Sequence, residues 1–317
     1  MNSILGVRLG AMGDILHALP AMASLKKSFP EKRIIWVVAR KWIELLDGNP
    51  NIDELVPFDR QNIGALGKTW RRLRAIRPEI AIDFQGLIQS ALVGRSARPN
   101  LYIGLASSLA REPLAALFYT RRITADGPHR VERNLQLAAA AGAALLTEES
   151  WLPPGRPEGE LPAGPFILAS PLAGWGSKQW PLSCYEELGK RLRAQELEFV
   201  ANVPVGRERE IGNLAHVRVH SSSVSGLIDA TRRAAGIVGV DSGPMHLAAA
   251  LGKPGVALFG PTDPARNGPF RSRMTVLRAP EARTTYKRRA ELDDSMKEIS
   301  AERVAEGLLR SIGVSRP

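Results

Sequence analysis

Short apolar runs and helix-spaced apolar positions alternate along this chain from end to end. Residues 3–9 (SILGVRL) form a run short and continuous enough for a strand buried on both faces. Leu16, Leu19, Met22, Ala23 and Leu25 then recur at helical spacing up to Phe29, which predicts one helix. Residues 33–38, 55–58 and 80–84 read as strands, and 41–46, 65–76 and 131–141 as helices. Between 151 and 165 the pattern stops in a stretch dense in Pro and Gly, which marks a linker. It restarts with strands at 166–170, 198–203, 236–240 and 255–259, interleaved with helices at 183–193 and 245–251, and closes with a helix at 301–312. Such alternation predicts α/β architecture: two Rossmann-like halves, residues 1–152 and 163–317, each a parallel sheet covered by helices. A ligand cleft is expected between them.

Composition narrows the partners. At 317 residues and 44% apolar, the chain exceeds one ordinary core and can fill two. Its net charge of +11 favours anionic partners: nucleic acid, phosphorylated substrates or an anionic membrane face. The single Cys184 excludes an internal disulfide and fits a reducing compartment. No apolar run approaches the ~20 residues of a membrane span. Arg8 and Asp14 interrupt the place where a signal peptide would be apolar. The expectation is a cytoplasmic enzyme that visits the membrane peripherally.

Chemistry concentrates in loops that follow strands. Gly10 and Gly13 stand in a strand-to-helix turn, with Asp14 at the mouth of the helix. Two readings of Asp14 stay open, a helix cap and a functional carboxylate. In the second half, Asp241-Ser-Gly-Pro-Met-His246 leaves a strand and opens a helix. Ser242, Gly243 and that helix start offer N–H groups to an anion, while Asp241 suits sugar hydroxyls and His246 a phosphate or leaving-group oxygen. Gly174-Trp-Gly-Ser-Lys178 reads as a loop whose lysine counters diphosphate charge. Glu208 reads as an acceptor for ribose hydroxyls or as a solvated helix residue. No Asp-x-Asp metal motif stands in a plausible place, so neither metal nor cofactor is expected.

Taken jointly these segments resemble glycosyltransferase family 9, the ADP-heptose:lipopolysaccharide heptosyltransferases, over nearly the whole chain. The resemblance is carried by Arg8…Gly13-Asp14-Ile15-Leu16-His17, Asp83-Phe-Gln-Gly-Leu-Ile-Gln-Ser90, Ala110-Arg-Glu112 and Phe118-Tyr-Thr-Arg-Arg122. His129-Arg-Val-Glu-Arg-Asn134, Lys178-Gln-Trp-Pro181, Asp241 to His246 and Gly260-Pro-Thr-Asp-Pro264 complete it. It implies a GT-B fold and inverting, metal-independent transfer of heptose from ADP-heptose to the Kdo/inner core of lipopolysaccharide. By the same resemblance Asp14 is the base, and Lys178, Glu208, Asp241 and His246 hold the ADP-sugar. The first domain then binds the acceptor and the second the donor. The Gln-Gly-Leu and Ala-Arg-Glu signatures look most like the first-heptose enzymes, although Gln89 stands where those often carry lysine.

Basic residues cluster in the first half with no acid among them: Arg60, Lys68, Arg71, Arg72, Arg74 and Arg77. They read as a solvated face or as a docking surface for an anionic, lipid-anchored acceptor such as Kdo-lipid A. Arg60, Arg71, Arg72 and Arg74, with Gly13, Gln85, Arg121 and Arg122, make the expected acceptor-binding set. A nucleotide-sugar epimerase of the same architecture is one rival. A basic nucleic-acid-binding protein is the other; it explains the charge but not Asp14, Asp241 and Glu208 in the loops, and no aromatic-basic RNA motif is present.

Overall fold

The first strand lies where the first apolar run predicts it. In the computed structural model, which describes residues 2–285 and 287–313, β1 (Ser3–Val7) is buried along its whole length. It pairs in parallel with β2 (Arg33–Ala39) on one side and β4 (Ile80–Asp83) on the other. β3 (Glu54–Phe58) extends the first side, and β5 (Leu101–Leu105) and β6 (Arg121–Ile123) extend the second. A second sheet holds β7 (Phe166–Ala169), β8 (Glu198–Pro204), β9 (Arg218–Ser222), β10 (Gly236–Val240), β11 (Gly255–Phe259) and β12 (Met274–Arg278). The orders are β3-β2-β1-β4-β5-β6 and β12-β11-β10-β7-β8-β9, all neighbours parallel. These are one doubly wound topology used twice, with its switch point between β1 and β4 in one sheet and β7 and β10 in the other. Each sheet forms its own compact unit, Met1–Pro153 and Pro154–Pro317.

The helices are α1 (Met12–Leu16), α2 (Leu19–Ser28), α3 (Ile63–Ile76), α4 (Ile88–Ser96), α5 (Arg130–Ala140), α6 (Leu182–Arg193), α7 (Val224–Arg233) and α8 (Gly243–Ala250), followed by two single turns over Pro264–Asn267 and Asp294–Lys297 and a C-terminal helix over Ala301–Ile312. The single helix expected up to Phe29 is two, broken at His17 and Ala18. Pro20 lacks an N–H, so it starts a helix more readily than it continues one. In the first unit α2 packs on α5, while α3, α4 and a 3-10 turn over Pro113–Phe118 pack in sequence as another layer. Trp36 and Tyr102 are fully buried in this unit, and Trp180, Tyr185 and Phe199 in the other, where Trp180 Nε1 donates to the Ile299 carbonyl at 2.8 Å.

The Pro- and Gly-rich stretch is ordered beyond Pro154. The Arg156 N–H donates to Ser225 O at 3.2 Å. The Glu158 carboxylate accepts from Ser223 N at 2.7 Å and Ser223 Oγ at 2.6 Å, satisfying groups at the start of α7. That stretch is a strap on the second unit. Among the described residues no helix is long and apolar enough to cross a membrane.

Candidate active site

Parallel strands direct all their carboxyl ends to one edge of a sheet, and the loops on either side of a switch point diverge there. In the first unit those loops leave β1 and β4. The Leu9 N–H donates to Gln85 Oε1 at 2.8 Å, so Gln85 braces the turn rather than pointing away from it. Gly86 next to it holds φ +68°, and a Cβ there would stand 3.2 Å from the Arg111 backbone nitrogen.

Arg8 turns its side chain inward from the end of β1, and its Nη1 donates to the Phe84 carbonyl. Its Nη2 meets Asp14 Oδ2 at 2.5 Å, and Arg130 Nη1, from the first turn of α5, meets Oδ1 at 2.7 Å. Asp14 also accepts from Ala11 N at 3.3 Å, so the capping reading holds together with the ion pairs. Burial works to raise the Asp14 pKa. Arg8, Arg130, His17 and Arg111 outweigh it and hold the carboxyl below the usual carboxylate range. His17 packs edge-on to His129 at 5.2 Å, and Asn134 Nδ2 donates to the His17 carbonyl at 2.9 Å. Gly13 is buried inside α1.

The second unit repeats the plan at β7 and β10. Lys178, in a 3-10 turn over Gly176–Lys178, places Nζ 2.6 Å from Asp241 Oδ2 and 4.2 Å over the Trp175 ring. Arg288 lies over the same ring at 5.4 Å. A Cβ on Gly176 would fall 1.7 Å from the Ala290 carbonyl oxygen, so only glycine lets these segments meet. His246 Nε2 is 3.3 Å from Asp241 Oδ1. Burial again works to raise the Asp241 pKa, and His246 and Lys178 together pull it below the usual range. Ser242 is the N-cap of α8, yet it makes no side-chain capping bond, and its buried Oγ has no hydrogen-bond partner among the described residues. The α8 N-terminus thus presents unused donors.

Other expected residues are placed less centrally. Glu208 is half-buried after β8, its carboxylate accepting from Gly206 N at 3.1 Å and from Ser221 Oγ. Arg60 is exposed just beyond β3, and Arg71 and Arg74 are exposed on α3. The run from Arg60 to Arg77 holds no acid, but folding brings Glu54 from β3 onto Arg72, with both oxygens at 2.6 Å. Arg72 is therefore engaged within its own unit. Arg121 and Arg122 stand on the edge strand, not beside Asp14, donating to the Ala140 and Ala116 carbonyls at 2.9 Å each. Sequence reasoning passed over the Asp14 partners Arg8 and Arg130. Arg8 carried a signal, a charge at the end of an apolar run; Arg130 stood in the segment His129 to Asn134, but nothing linked that segment to Asp14, 116 positions away.

The pattern of glycosyltransferase family 9 (heptosyltransferase) matches residues 66–297, most of the chain. The chain belongs to glycosyltransferase family 9. The lipopolysaccharide heptosyltransferase 1 of Pseudomonas aeruginosa is 31% identical over 288 residues, covering 84% of this chain and 81% of that protein. The E. coli heptosyltransferase WaaC with ADP superposes with a TM-score of 0.77 at 24% identity, over 96% of this chain and 98% of that one. The E. coli ADP-heptose lps heptosyltransferase II gives 0.78 at 24%, over 98% of each. These likenesses fix the fold as GT-B. As a family 9 glycosyltransferase the chain is an enzyme, and neither the epimerase nor the nucleic-acid-binding reading is favoured.

Proposed function

We propose that this glycosyltransferase moves heptose from ADP-heptose onto the Kdo region of a lipopolysaccharide precursor, with inversion at the sugar carbon and without a metal. One observation carries the reading: the first switch point offers a carboxylate and the second offers an ammonium beside a helix N-terminus. An acceptor hydroxyl needs a base, and a departing nucleoside diphosphate needs positive charge. The names of the relatives support the substrate classes: ADP accompanies the WaaC structure, and lipopolysaccharide stands in the name of the Pseudomonas protein.

In the transfer, the acceptor oxygen bonds to the anomeric carbon as the bond from that carbon to the diphosphate oxygen breaks. Asp14 takes the hydroxyl proton. The bonding pair leaves on the diphosphate, where Lys178, the Ser242 hydroxyl, the Gly243 end of α8 and His246 receive the charge. Arg8 and Arg130 keep Asp14 ionised near neutral pH but weaken it as a base. That suits late proton loss, after the new bond has made the hydroxyl acidic. Asp241 holds Lys178 and His246 in position and offers its remaining lone pairs to sugar hydroxyls. Glu208 follows the second strand of its sheet, the place from which an acid reaches a ribose in doubly wound folds. Gly13, Gln85, Arg60, Arg71 and Arg74 serve the acceptor, an anionic lipid-anchored molecule met at the cytoplasmic face of the inner membrane.

Incubating the enzyme with ADP-heptose and Kdo-lipid A, with and without a chelator, tests this. The expected result is ADP release with one heptose added to the acceptor in both cases. Transfer only to an already heptosylated core would overturn the acceptor, and loss of activity with chelator would overturn the metal-free mechanism.

A further inference from the structure

The 3-10 turn over Pro113–Phe118 is built inside out. Its alanines, Ala115 and Ala116, are buried, while Leu114 and Leu117 are 60% and 69% exposed. Side chains at i and i+3 of a 3-10 turn eclipse, so the two leucines project side by side. The adjoining α4 exposes Leu92 and, one turn on, Arg95. Exposed Arg122, whose Nε donates to the Ala116 carbonyl of the turn, adds positive charge beside them.

Both ends of the turn are anchored. The Glu112 N–H donates to Gly86 O at 2.9 Å, and the Glu112 carboxylate accepts from Ile88 N at 2.7 Å. Tyr119 OH donates to Asp83 Oδ2 at 2.8 Å, and Arg122 Nε donates to Ala116 O. The leucines are thus held rigidly outward at a cost in exposed apolar surface that a purely soluble face does not need. They also follow directly on Arg111, one of the charges that act on Asp14.

We infer that this turn, with Leu92 and the surrounding arginines, is the surface by which the enzyme docks on an anionic lipid bilayer. Leucines enter the headgroup boundary and arginines meet lipid phosphates, a pairing of apolar and cationic groups that neither a neutral membrane nor a soluble anion matches in full. Its position beside the loop behind Gly86 would deliver the sugar end of a lipid-anchored acceptor to Asp14. That last consequence rests on the proposed acceptor; docking itself does not.

Co-sedimentation with vesicles that contain no sugar acceptor keeps the two claims apart. The protein is expected to bind phosphatidylglycerol/phosphatidylethanolamine vesicles, to bind phosphatidylcholine vesicles more weakly, and to lose affinity as salt rises. Leu114→Glu with Leu117→Glu is expected to lower partitioning by about tenfold or more, with an unchanged thermal melt and unchanged turnover of an acceptor stripped of its acyl chains. Leu114→Ser with Leu117→Ser is the second variant should the first melt early, and is expected to lose partitioning in the same sense. Wild-type protein that ignores anionic vesicles, or folded variants that bind them as wild type does, overturns the inference. So does a wild-type dimer that the variants disperse, since a second copy would then cover the leucines.

Discussion

The two switch points share one design with opposite polarity. At each, a carboxylate is held by two nitrogen bases where the strand order reverses. In the first unit the carboxylate of Asp14 is the more open member of its closest pair, 16% exposed against 4% for Arg8. In the second the cation is the more open one, 15% for Lys178 against 6% for Asp241. The buried partner in each pair supports the group that faces out. One fold used twice thereby presents an anion in one unit and a cation in the other, the two charges that glycosyl transfer from a diphosphate requires.

The largest effect is expected from removing the buried support in the second unit. Asp241→Ala strands Lys178 and His246, and breaking such a buried pair typically costs about 3–5 kcal/mol. Asp14→Ala leaves Arg8 its bond to the Phe84 carbonyl and leaves Arg130 partly exposed, and is expected to cost less. Thermal or urea melts of the two variants check the order, and a reversed order would break the comparison. Next comes Lys178→Ala, expected to weaken ADP binding by ~1.5–3 kcal/mol, the range for a charge-assisted contact. Calorimetry reads it directly, and unchanged ADP affinity would remove Lys178 from the clamp.

Much of this was legible in the sequence, for physical reasons that also explain the rest. Central strands such as β1 and β10 are buried on both faces, so their residues are continuously apolar and announce themselves. The strands β6 (RRI) and β9 (RVHSS) form sheet edges, need no such run, and show no pattern. Asp14, Lys178 and Asp241 stood out because glycines and strand ends framed them. Their pairing did not: Lys178 and Asp241 are 63 positions apart, and only the return of β10 to the side of β7 joins them. Likewise Glu54 reaches Arg72 only because α3 folds back on β3.

Smaller effects sharpen the picture of Asp14. Arg130 is partly exposed, so Arg130→Ala is expected to cost no more than about 1 kcal/mol of stability. It removes one of the cations that depress the Asp14 pKa, so the acid limb of the kcat/KM profile is expected to move to higher pH. An unmoved limb would mean that Arg130 does not tune the carboxylate. Stability should follow the same logic. Asp14 and Asp241 both have folded pKa values below their ordinary ones, so they stabilise the fold above an unfolded pKa of about 3.9 and lose that contribution as pH falls through the folded values. The melting difference between wild type and Asp241→Asn is therefore expected to be full near neutrality and to shrink below about pH 4. A difference that persists unchanged into strong acid would contradict it.

The most direct measurement is kcat for Asp14→Asn beside its ADP affinity and thermal melt. An asparagine at this third helical position can still accept from Ala11 N, so the α1 turn is retained, although Arg8 loses its counter-charge and the melt falls. If Asp14 is the base, ADP affinity is unchanged, because the donor groups lie in the other unit, and kcat falls about 10²–10⁴-fold. A folded Asp14→Asn enzyme with near-normal kcat would contradict the account.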